Sequence, residues 1–383
     1  MSEKILKNNC IAIVPNSEVA EYEDELKIVS SDKSFYQRFK EHNMEVVICA
    51  VVNHKNKNFG WNINSEANIS CIKQNLIVSE GKSSLKKVIN YVYTFFKAFT
   101  VARKYTFFYL FVPGNISLIY ALVLILLNRK FGLYIRGDFF KTKFHHLYRY
   151  IIRKSSFSIV TSNYLKGQVK PLNENISLVV PMIMTSVTDL QGERSLPVGR
   201  PIKYLFVGRP SKDKGIEELI EAINILKLDN FDFQLEIVGD YDKVANDLLR
   251  ETIIEYGLED YINFSGFTNN PEELKNIFEC SDVFVLPSHH EGFPRVVYEA
   301  MTFGLPMVLT NLPSYKHTLD YNVNCEFVEV RNSHSLYEGM KSIATDAKKY
   351  NLYSSNGLKL MKEYYKIFEE KKSHTLQVLK AIN

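Results

Sequence analysis

The sequence is poor in the residues that cross-link small extracellular proteins. It has five cysteines in 383 residues, none of them in a Cys-x-x-Cys pair or at the spacing of zinc ligands. This argues against a disulfide framework and a zinc site, and it predicts free thiols in a reducing compartment. The first residues lack the long apolar run of a secretion signal, so we expect a cytoplasmic protein. A content of 46% apolar and 23% charged residues excludes a disordered chain.

Acidic residues are nearly missing between 81 and 170. This segment holds 16 Lys and Arg but one acid, Asp138, so its net charge is +15 while the whole chain carries +4. So much positive charge favours an anionic partner, which is a nucleic acid, a phospholipid surface or a phosphate-bearing substrate. No basic and aromatic motif of nucleic-acid binding accompanies it, so we expect no nucleic-acid partner. A solvated basic face without a specific partner is the alternative.

The uncharged stretch 106–127 lacks the continuity of a transmembrane helix. Pro113, Gly114 and Asn115 divide it and leave about a dozen apolar residues, whereas a span needs ~20. A buried strand at 107–112, a helix at 116–128 and a strand at 133–136 explain the pattern as one β-α-β unit. A membrane span is the alternative.

Two segments of the basic block, 82–104 and 141–154, place apolar residues at helical spacing among lysines and arginines. The apolar face of each can pack on the domain's own sheet or lie on an anionic membrane surface. Because both occur in one basic block, we favour membrane contact.

Alternating strands and helices predict two α/β domains. Residues 187–201 have no apolar period and contain Gly and Pro, which is typical of a linker. Strands with intervening helices are predicted after it at 202–207, 233–238, 262–265, 283–286 and 307–309. The predicted division is an N-terminal domain at 1–190, a linker at 191–201, a C-terminal domain at 202–365 and a final helix at 366–383 that can cross back to the first domain.

The common glycine-rich nucleotide motifs are absent: the sequence has no Gly-x-Gly-x-x-Gly and no Walker loop. Instead, Gly-Arg-Pro-Ser-Lys-Asp-Lys-Gly (208–215) follows the strand at 202–207. Arg209 offers a planar guanidinium to a phosphate, Lys214 an ammonium, and the next helix its free N–H groups. Since ligands of α/β sheets bind at the carboxyl ends of strands, this pattern predicts a phosphate site. An ordinary lysine-rich surface loop is the alternative.

A second polar loop, starting Pro-Ser-His-His-Glu-Gly-Phe-Pro (287–294), follows the strand at 283–286. Pro294 stands where the first residue of a helix is expected, so the following N–H groups form a second anion site. Glu299 falls on the apolar face of that helix, which is costly unless it accepts donors such as sugar hydroxyls. A capping role for Glu291 with a chance Glu299 is the alternative.

Together, Gly-Arg-x4-Lys-Gly and Glu-Gly-Phe-Pro, with a second Glu eight positions after the first, resemble the retaining GT-B glycosyltransferases of family 4. The resemblance implies two Rossmann-like parallel-sheet domains facing across a cleft, with the donor bound mainly by the C-terminal one. With the basic block, it predicts transfer of a hexose-type sugar from a UDP- or GDP-sugar to a cell-envelope glycan. That acceptor is a polysaccharide or a lipid-diphosphate-linked oligosaccharide at the inner face of the cell membrane, where the protein is peripheral. A non-catalytic sugar-nucleotide or polyanion-binding protein of the same fold is the alternative.

The resemblance also implies roles for single residues. Arg209 and Lys214 neutralise the donor diphosphate, Glu291 meets the donor sugar, and these three are the expected catalytic residues. Glu299 holds the ribose hydroxyls. The other expected donor-binding residues are Gly208, Phe267, Gly292, Phe293 and Pro294.

The first domain departs from the family pattern, because Arg136-Gly137-Asp138 stands where His-Gly is usual. Arg136 and Asp138 are therefore the candidates there, and the acceptor side stays open. The sequence Asp-Tyr-Asp at 240–242 would suit a divalent metal, but it follows a strand end and we interpret it as structural. No metal or other cofactor is expected, since two cations and two helix ends can stabilise the departing diphosphate.

Overall fold

The computed structural model divides the chain into two compact units, Met1–Met182 with Lys371–Asn383, and Ile183–Glu370. The described residues are 10–15, 19–22, 25–28, 35–37, 39, 42–54, 61–63, 69–74, 84–137, 139–179, 183, 185–239, 243–268, 270–291, 294–315, 319, 323–369 and 374–382. The segment predicted as a linker, 191–201, lies inside the second unit.

The first unit is built on one mixed sheet. Its strands are β1 (Cys10–Val14), β2 (Val19–Tyr22), β3 (Glu25–Ile28), β4 (Glu45–His54), β5 (Trp61–Asn62), β6 (Ile69–Gln74), β7 (Phe107–Val112), β8 (Phe131–Ile135), β9 (Phe157–Val160) and β10 (Ile176–Leu178). The order is β10-β9-β8-β7-β1-β4-β2-β3-β5, with β6 also beside β4. The β2–β3 and β3–β5 pairs are antiparallel and the other pairs are parallel.

Helices cover this sheet on both faces. They are α1 (Ser84–Ala102), α2 (Asn115–Leu126), α3 (His145–Lys154), α4 (Asn163–Val169) and, from the end of the chain, α11 (His374–Ile382). In β7, Phe108 and Leu110 face α1, α2 and α3, whereas Tyr109 and Phe111 face the core that includes α11. Burial on both faces explains why the strand is continuously apolar.

The β-α-β interpretation of the uncharged stretch is confirmed, because β7, α2 and β8 occupy it with a break at Pro113 and Gly114. None of the helices in the described ranges combines the length and apolar character that crossing a bilayer requires.

The second unit contains a six-stranded parallel sheet. Its strands are β11 (Ile202–Val207), β12 (Phe233–Val238), β13 (Ile262–Gly266), β14 (Val283–Leu286), β15 (Met307–Thr310) and β16 (Glu326–Val328), in the order β13-β12-β11-β14-β15-β16. Its helices are α5 (Ile216–Leu228), α6 (Lys243–Glu255), α7 (Pro271–Cys280), α8 (Arg295–Thr302), α9 (Ser333–Thr345) and α10 (Ala347–Glu369). The chain runs outward from β11 in one direction and from β14 in the other, so the topological switch point lies between these two strands.

Arg194 ties the 191–201 segment to the second unit. Its guanidinium donates hydrogen bonds to the carbonyl oxygens of Phe303 (2.6 Å), Ser281 (2.5 Å), Phe278 and Glu279 (both 3.2 Å). Two of these are carbonyls in the last turn of α7, where the helix dipole favours a cation; the carbonyl of Phe278 also accepts from the N–H of Ser281 over 3.3 Å. The segment 191–201, which has no apolar period, is therefore held by polar contacts. Such contacts leave no apolar pattern in the sequence.

Helix α11 is anchored in the first unit by a buried histidine. The Nε2 atom of His374 lies 2.6 Å from Tyr109 Oη, and the ring stacks on Phe35 with 4.5 Å between centroids. Burial and, to a smaller extent, the charge of Arg136 together lower the pKa of the imidazole to about 3. His374 is therefore neutral in the folded protein.

We expect this histidine to make the first unit sensitive to acid. Below pH 6.5, the ordinary pKa of a histidine, His374 becomes protonated in the unfolded chain but stays neutral in the folded one. The free energy of unfolding therefore falls as the pH drops. From pH 7.5 to pH 5 the loss is about 2 kcal/mol. Urea unfolding followed by the fluorescence of Trp61, the single tryptophan, should show it in the native sequence and not in His374→Gln. An equal pH dependence in both proteins would contradict the assignment.

Candidate active site

Two loops meet at the switch point of the second sheet. Strands β11 and β14 are parallel neighbours, so the loop 208–215 after β11 and the loop 287–294 after β14 leave the same edge of the sheet. The backbone N–H of His289 donates to the carbonyl of Asp213 over 2.9 Å. The two polar motifs of the sequence therefore form one surface.

A glycine makes this close approach possible. Gly215 has φ +72°, in the left-handed region, and a Cβ at this position would lie 2.1 Å from the carbonyl oxygen of Pro287. Neither the backbone angle nor the space admits a side chain.

The central contact of the site is an ion pair between the loops. Lys214 Nζ donates to Glu291 Oε1 over 2.6 Å, and the Ser288 hydroxyl donates to the same oxygen over 2.7 Å. The Glu291 side chain is 9% exposed and that of Lys214 is 28% exposed. Partial burial strengthens such a pair and fixes the carboxylate at the rim of the sheet.

A buried phenol lies near this carboxylate. The hydroxyl of Tyr315 has no hydrogen-bond partner among the residues that the structure describes. Burial raises the pKa of Tyr315 well above its usual value, and the charge of Glu291 raises it further. Tyr315 is therefore a neutral hydroxyl, and Glu291 receives its donors from the loops instead.

His289 braces the second loop against helix α5. Its Nε2 lies 2.9 Å from Glu218 Oε1, and Arg331 Nε donates to its Nδ1 over 3.3 Å. Because Nδ1 accepts from Arg331, Nε2 is the ring nitrogen that donates to Glu218. Ser288, His289 and Tyr315 are site residues that the sequence did not predict. The first two stand inside the motif, but only the fold reveals their partners.

Glu299 is 3% exposed on α8, as its position in the apolar pattern predicts. It lines a small cavity together with Thr185, Pro271, Leu274, Lys275, Phe278 and Phe303. Burial raises the pKa of the nearby Tyr365 hydroxyl, and the negative charge of Glu299 also raises it. The sequence analysis gave no signal for Thr185 or Lys275 at this place.

The remaining predicted residues are placed as follows. Gly208 and Arg209 begin the first loop, with the Arg209 side chain exposed. Phe267 follows β13 and is exposed. Pro294 was predicted as the first helical residue, which is wrong: α8 begins at Arg295, and Pro294 is its N-cap with φ −80°. Arg136 follows β8 in the first unit, with its guanidinium carbon 5.3 Å from the Phe111 ring centroid.

Several candidates lie outside the described residues, namely Asp138, Gly292, Phe293, Asp240, Tyr241 and Asp242. Within the described part of the chain, no group of three or more His, Cys, Asp or Glu has the arrangement of a metal site.

The architecture defines an α/β protein whose second unit carries a polar site at its switch point. Residues 189–360 match the family described as glycosyl transferases group 1. An uncharacterized glycosyltransferase of Haemophilus influenzae is 30% identical over 273 residues, which cover 68% of this chain and 73% of that protein. The chain belongs to the group 1 glycosyltransferases, and it is a glycosyltransferase.

A relative from Campylobacter jejuni is 29% identical over 212 residues, 53% of this chain and 55% of its own length. It is named N-acetylgalactosamine-N,N'-diacetylbacillosaminyl-diphospho-undecaprenol 4-alpha-N-acetylgalactosaminyltransferase. The chain thus spans about half of this relative.

Solved structures show that the fold is GT-B. Sucrose-phosphate synthase from Thermosynechococcus elongatus aligns with a TM-score of 0.71 at 16% identity, over 97% of both chains. Anabaena Alr3699/HepE, solved in complex with UDP and glucose, aligns with a TM-score of 0.69 at 15% identity, over 97% of this chain and 98% of that one. The predicted fold class is confirmed.

We expect Gly215→Ala to destabilise the second unit more than a matched change at Gly199. Gly199 has φ +75° but open space around its Cα, so Gly199→Ala costs only the ~1–2 kcal/mol of a left-handed alanine. Gly215→Ala adds an overlap with the Pro287 backbone. Scanning calorimetry compares the two transitions, and equal losses would refute the close approach of the two loops.

Proposed function

We propose that the chain transfers a hexose-type sugar from a UDP- or GDP-sugar to a cell-envelope glycan, with retention of the anomeric configuration and without a metal. The observation that carries the proposal is the Lys214–Glu291 pair at the switch point, with Arg209 beginning the same loop as Lys214. An ammonium and an exposed guanidinium beside two helix starts suit a diphosphate.

The donor nucleotide is proposed to span the second unit from this pair to Glu299. Arg209 and Lys214 hold the diphosphate, and Glu299 accepts the ribose hydroxyls. A vicinal diol offers two adjacent donors that a carboxylate can accept. Phe267, exposed after β13, is assigned to the base. The UDP in the Anabaena structure supports a nucleotide donor for this fold, while GDP stays open.

Catalysis follows from where negative charge grows. As the bond from the anomeric carbon to the phosphate oxygen breaks, the acceptor hydroxyl bonds to that carbon on the same face and its proton passes to the departing diphosphate. Lys214 and Arg209 stabilise the charge that develops there. Glu291, held by Lys214 and Ser288, is positioned to meet the hydroxyls of the donor sugar.

The acceptor is proposed to be a glycan on a lipid diphosphate or a growing polysaccharide at the inner face of the cell membrane. The name of the Campylobacter relative contains a diphospho-undecaprenol acceptor, and the +15 block suits such an anion. Arg136 in the first unit is our candidate for a contact on that side.

Lys214→Met should weaken UDP or GDP binding by roughly 10–150-fold, because a charged contact contributes ~1.5–3 kcal/mol. The change also leaves Glu291 with an uncompensated charge. Lys212→Met is the matched control, since Lys212 is in the same loop but 77% exposed and paired with Glu217. Calorimetric titration measures both. Native affinity in Lys214→Met would exclude the proposed diphosphate site.

Incubation with labelled UDP- and GDP-sugars and a membrane extract tests the reaction itself. We expect a labelled lipid or polysaccharide product whose anomeric configuration, determined by NMR, equals that of the donor. EDTA should leave the rate unchanged. Donor binding without transfer would favour the non-catalytic alternative, an inverted product would exclude retention, and loss of activity in EDTA would point to Asp240 and Asp242.

A further inference from the structure

The outward face of helix α1 is apolar and aromatic. Seven of its large side chains are exposed, the most open being Phe96 at 64%. They are Val88, Ile89, Tyr91, Val92, Tyr93, Phe95 and Phe96, which we call the α1 face. At ~100° per residue they cover an arc of about 200°, centred opposite the buried Thr94 and Val101. So many contiguous apolar residues on a surface mark an interaction site.

The opposite side of α1 accounts for its packing in the first unit. Thr94, Ala98, Val101 and Ala102 are buried, and the last three join the core that includes α2. The buried residues, together with the partly buried Phe99, attach the helix to the protein, whereas the seven residues of the α1 face are exposed. Packing on the domain's own sheet, the alternative explanation of this segment, does not account for the α1 face.

The second amphipathic segment behaves differently. In α3, Tyr148, Ile151 and Ile152 are buried in the same core. The segment 141–154 leaves two large apolar or aromatic side chains exposed, Phe144 and Tyr150, whereas α1 exposes seven between 88 and 96.

The charge around the α1 face selects its partner. Lys97 lies on α1, and Arg103 and Lys104 follow it directly. The same basic segment adds Arg129 and Lys130 after α2, and Arg149, Arg153 and Lys154 in α3. The described residues between 84 and 170 include no acid. An aromatic surface on a segment so rich in cations fits the interface of an anionic bilayer.

A second copy of the chain fits this surface less well. Two copies joined by a two-fold axis through the α1 face would oppose the same basic block on each subunit. Like charges would repel each other there, whereas anionic headgroups would neutralise them.

We propose that the α1 face inserts shallowly into an anionic phospholipid bilayer while the flanking lysines and arginines contact the headgroups. This inference rests on the proposed function, which includes an acceptor at the membrane, and it deepens that function. It assigns the α1 face as the surface that holds the enzyme at this acceptor.

Vesicle flotation tests the surface directly. The full chain should float with vesicles of phosphatidylcholine and phosphatidylglycerol, and more weakly with phosphatidylcholine alone. The double variant Val92→Gln/Phe96→Gln should lower the partition coefficient between vesicles and water at least about tenfold. The reason is that two apolar side chains that would move from water into the bilayer have been removed. Leu228→Gln, a 72% exposed leucine in the second unit, is the control and should float like the native chain.

Insertion has its own optical signature. Phe96→Trp should show a blue-shifted emission with vesicles and quenching by brominated lipid chains, while Leu228→Trp should show neither above the background of Trp61. Absence of vesicle binding by the native chain, native flotation of the double variant, or a dimer in light scattering that this variant dissolves would each overturn the proposal.

The outcome is separable from that of the proposed function. Titration of UDP or GDP without vesicles should give the same affinity for the double variant as for the native chain. Vesicle binding by a chain that transfers no sugar would leave the surface intact and remove the function. Sugar transfer by a chain that does not bind vesicles would leave the function intact and overturn the membrane-binding surface.

Discussion

The contact between the Lys214 ammonium and the Glu291 carboxylate joins the two loops on which the candidate site depends. Each partner comes from a different motif, and 77 positions separate them in the sequence. They meet because β11 and β14 are neighbours and because Gly215 lets one backbone approach the other. Removing either partner would leave a half-buried charge unpaired, which is costly in proteins. The pair therefore both closes the loops on each other and keeps a cation available at the end of the sheet.

The charges of the molecule are divided between its two units. In the second unit, the Lys214 cation at the switch point is matched by the Glu291 carboxylate. In the first unit the basic block has almost no acids, and its α1 helix exposes aromatic side chains. We propose a small, well-oriented anion as the ligand of the second unit and an extended anionic surface as the partner of the first.

Much of the fold follows from the sequence because buried parallel strands are continuous apolar runs. The bounds of the strands at 107–112, 202–207, 233–238 and 283–286 were predicted as the structure has them. Polar contacts were not predictable in the same way: Arg194 holds a segment that lacks any apolar period. In α1 the spacing of large apolar residues indicates a helix but not which side is buried, because that depends on the small residues that fit against α2.

At the site, the motif spacing identified the loops and the acids but not the contacts between them. The burial of Glu299 was predicted, since a lone acid on an apolar helix face must lie near the core. Two contacts could not be predicted without knowing the order of the strands: that of Lys214 and Ser288 with one oxygen of Glu291, and that of His289 with Glu218. Periodicity alone does not define this order.

A crystal structure of the chain with UDP or GDP bound tests the central claim most directly. We expect the diphosphate within hydrogen-bond distance of Lys214 Nζ and the Arg209 guanidinium, with the ribose hydroxyls on the Glu299 carboxylate. A nucleotide bound elsewhere, or one whose diphosphate is held through a metal by Asp240 and Asp242, would contradict it.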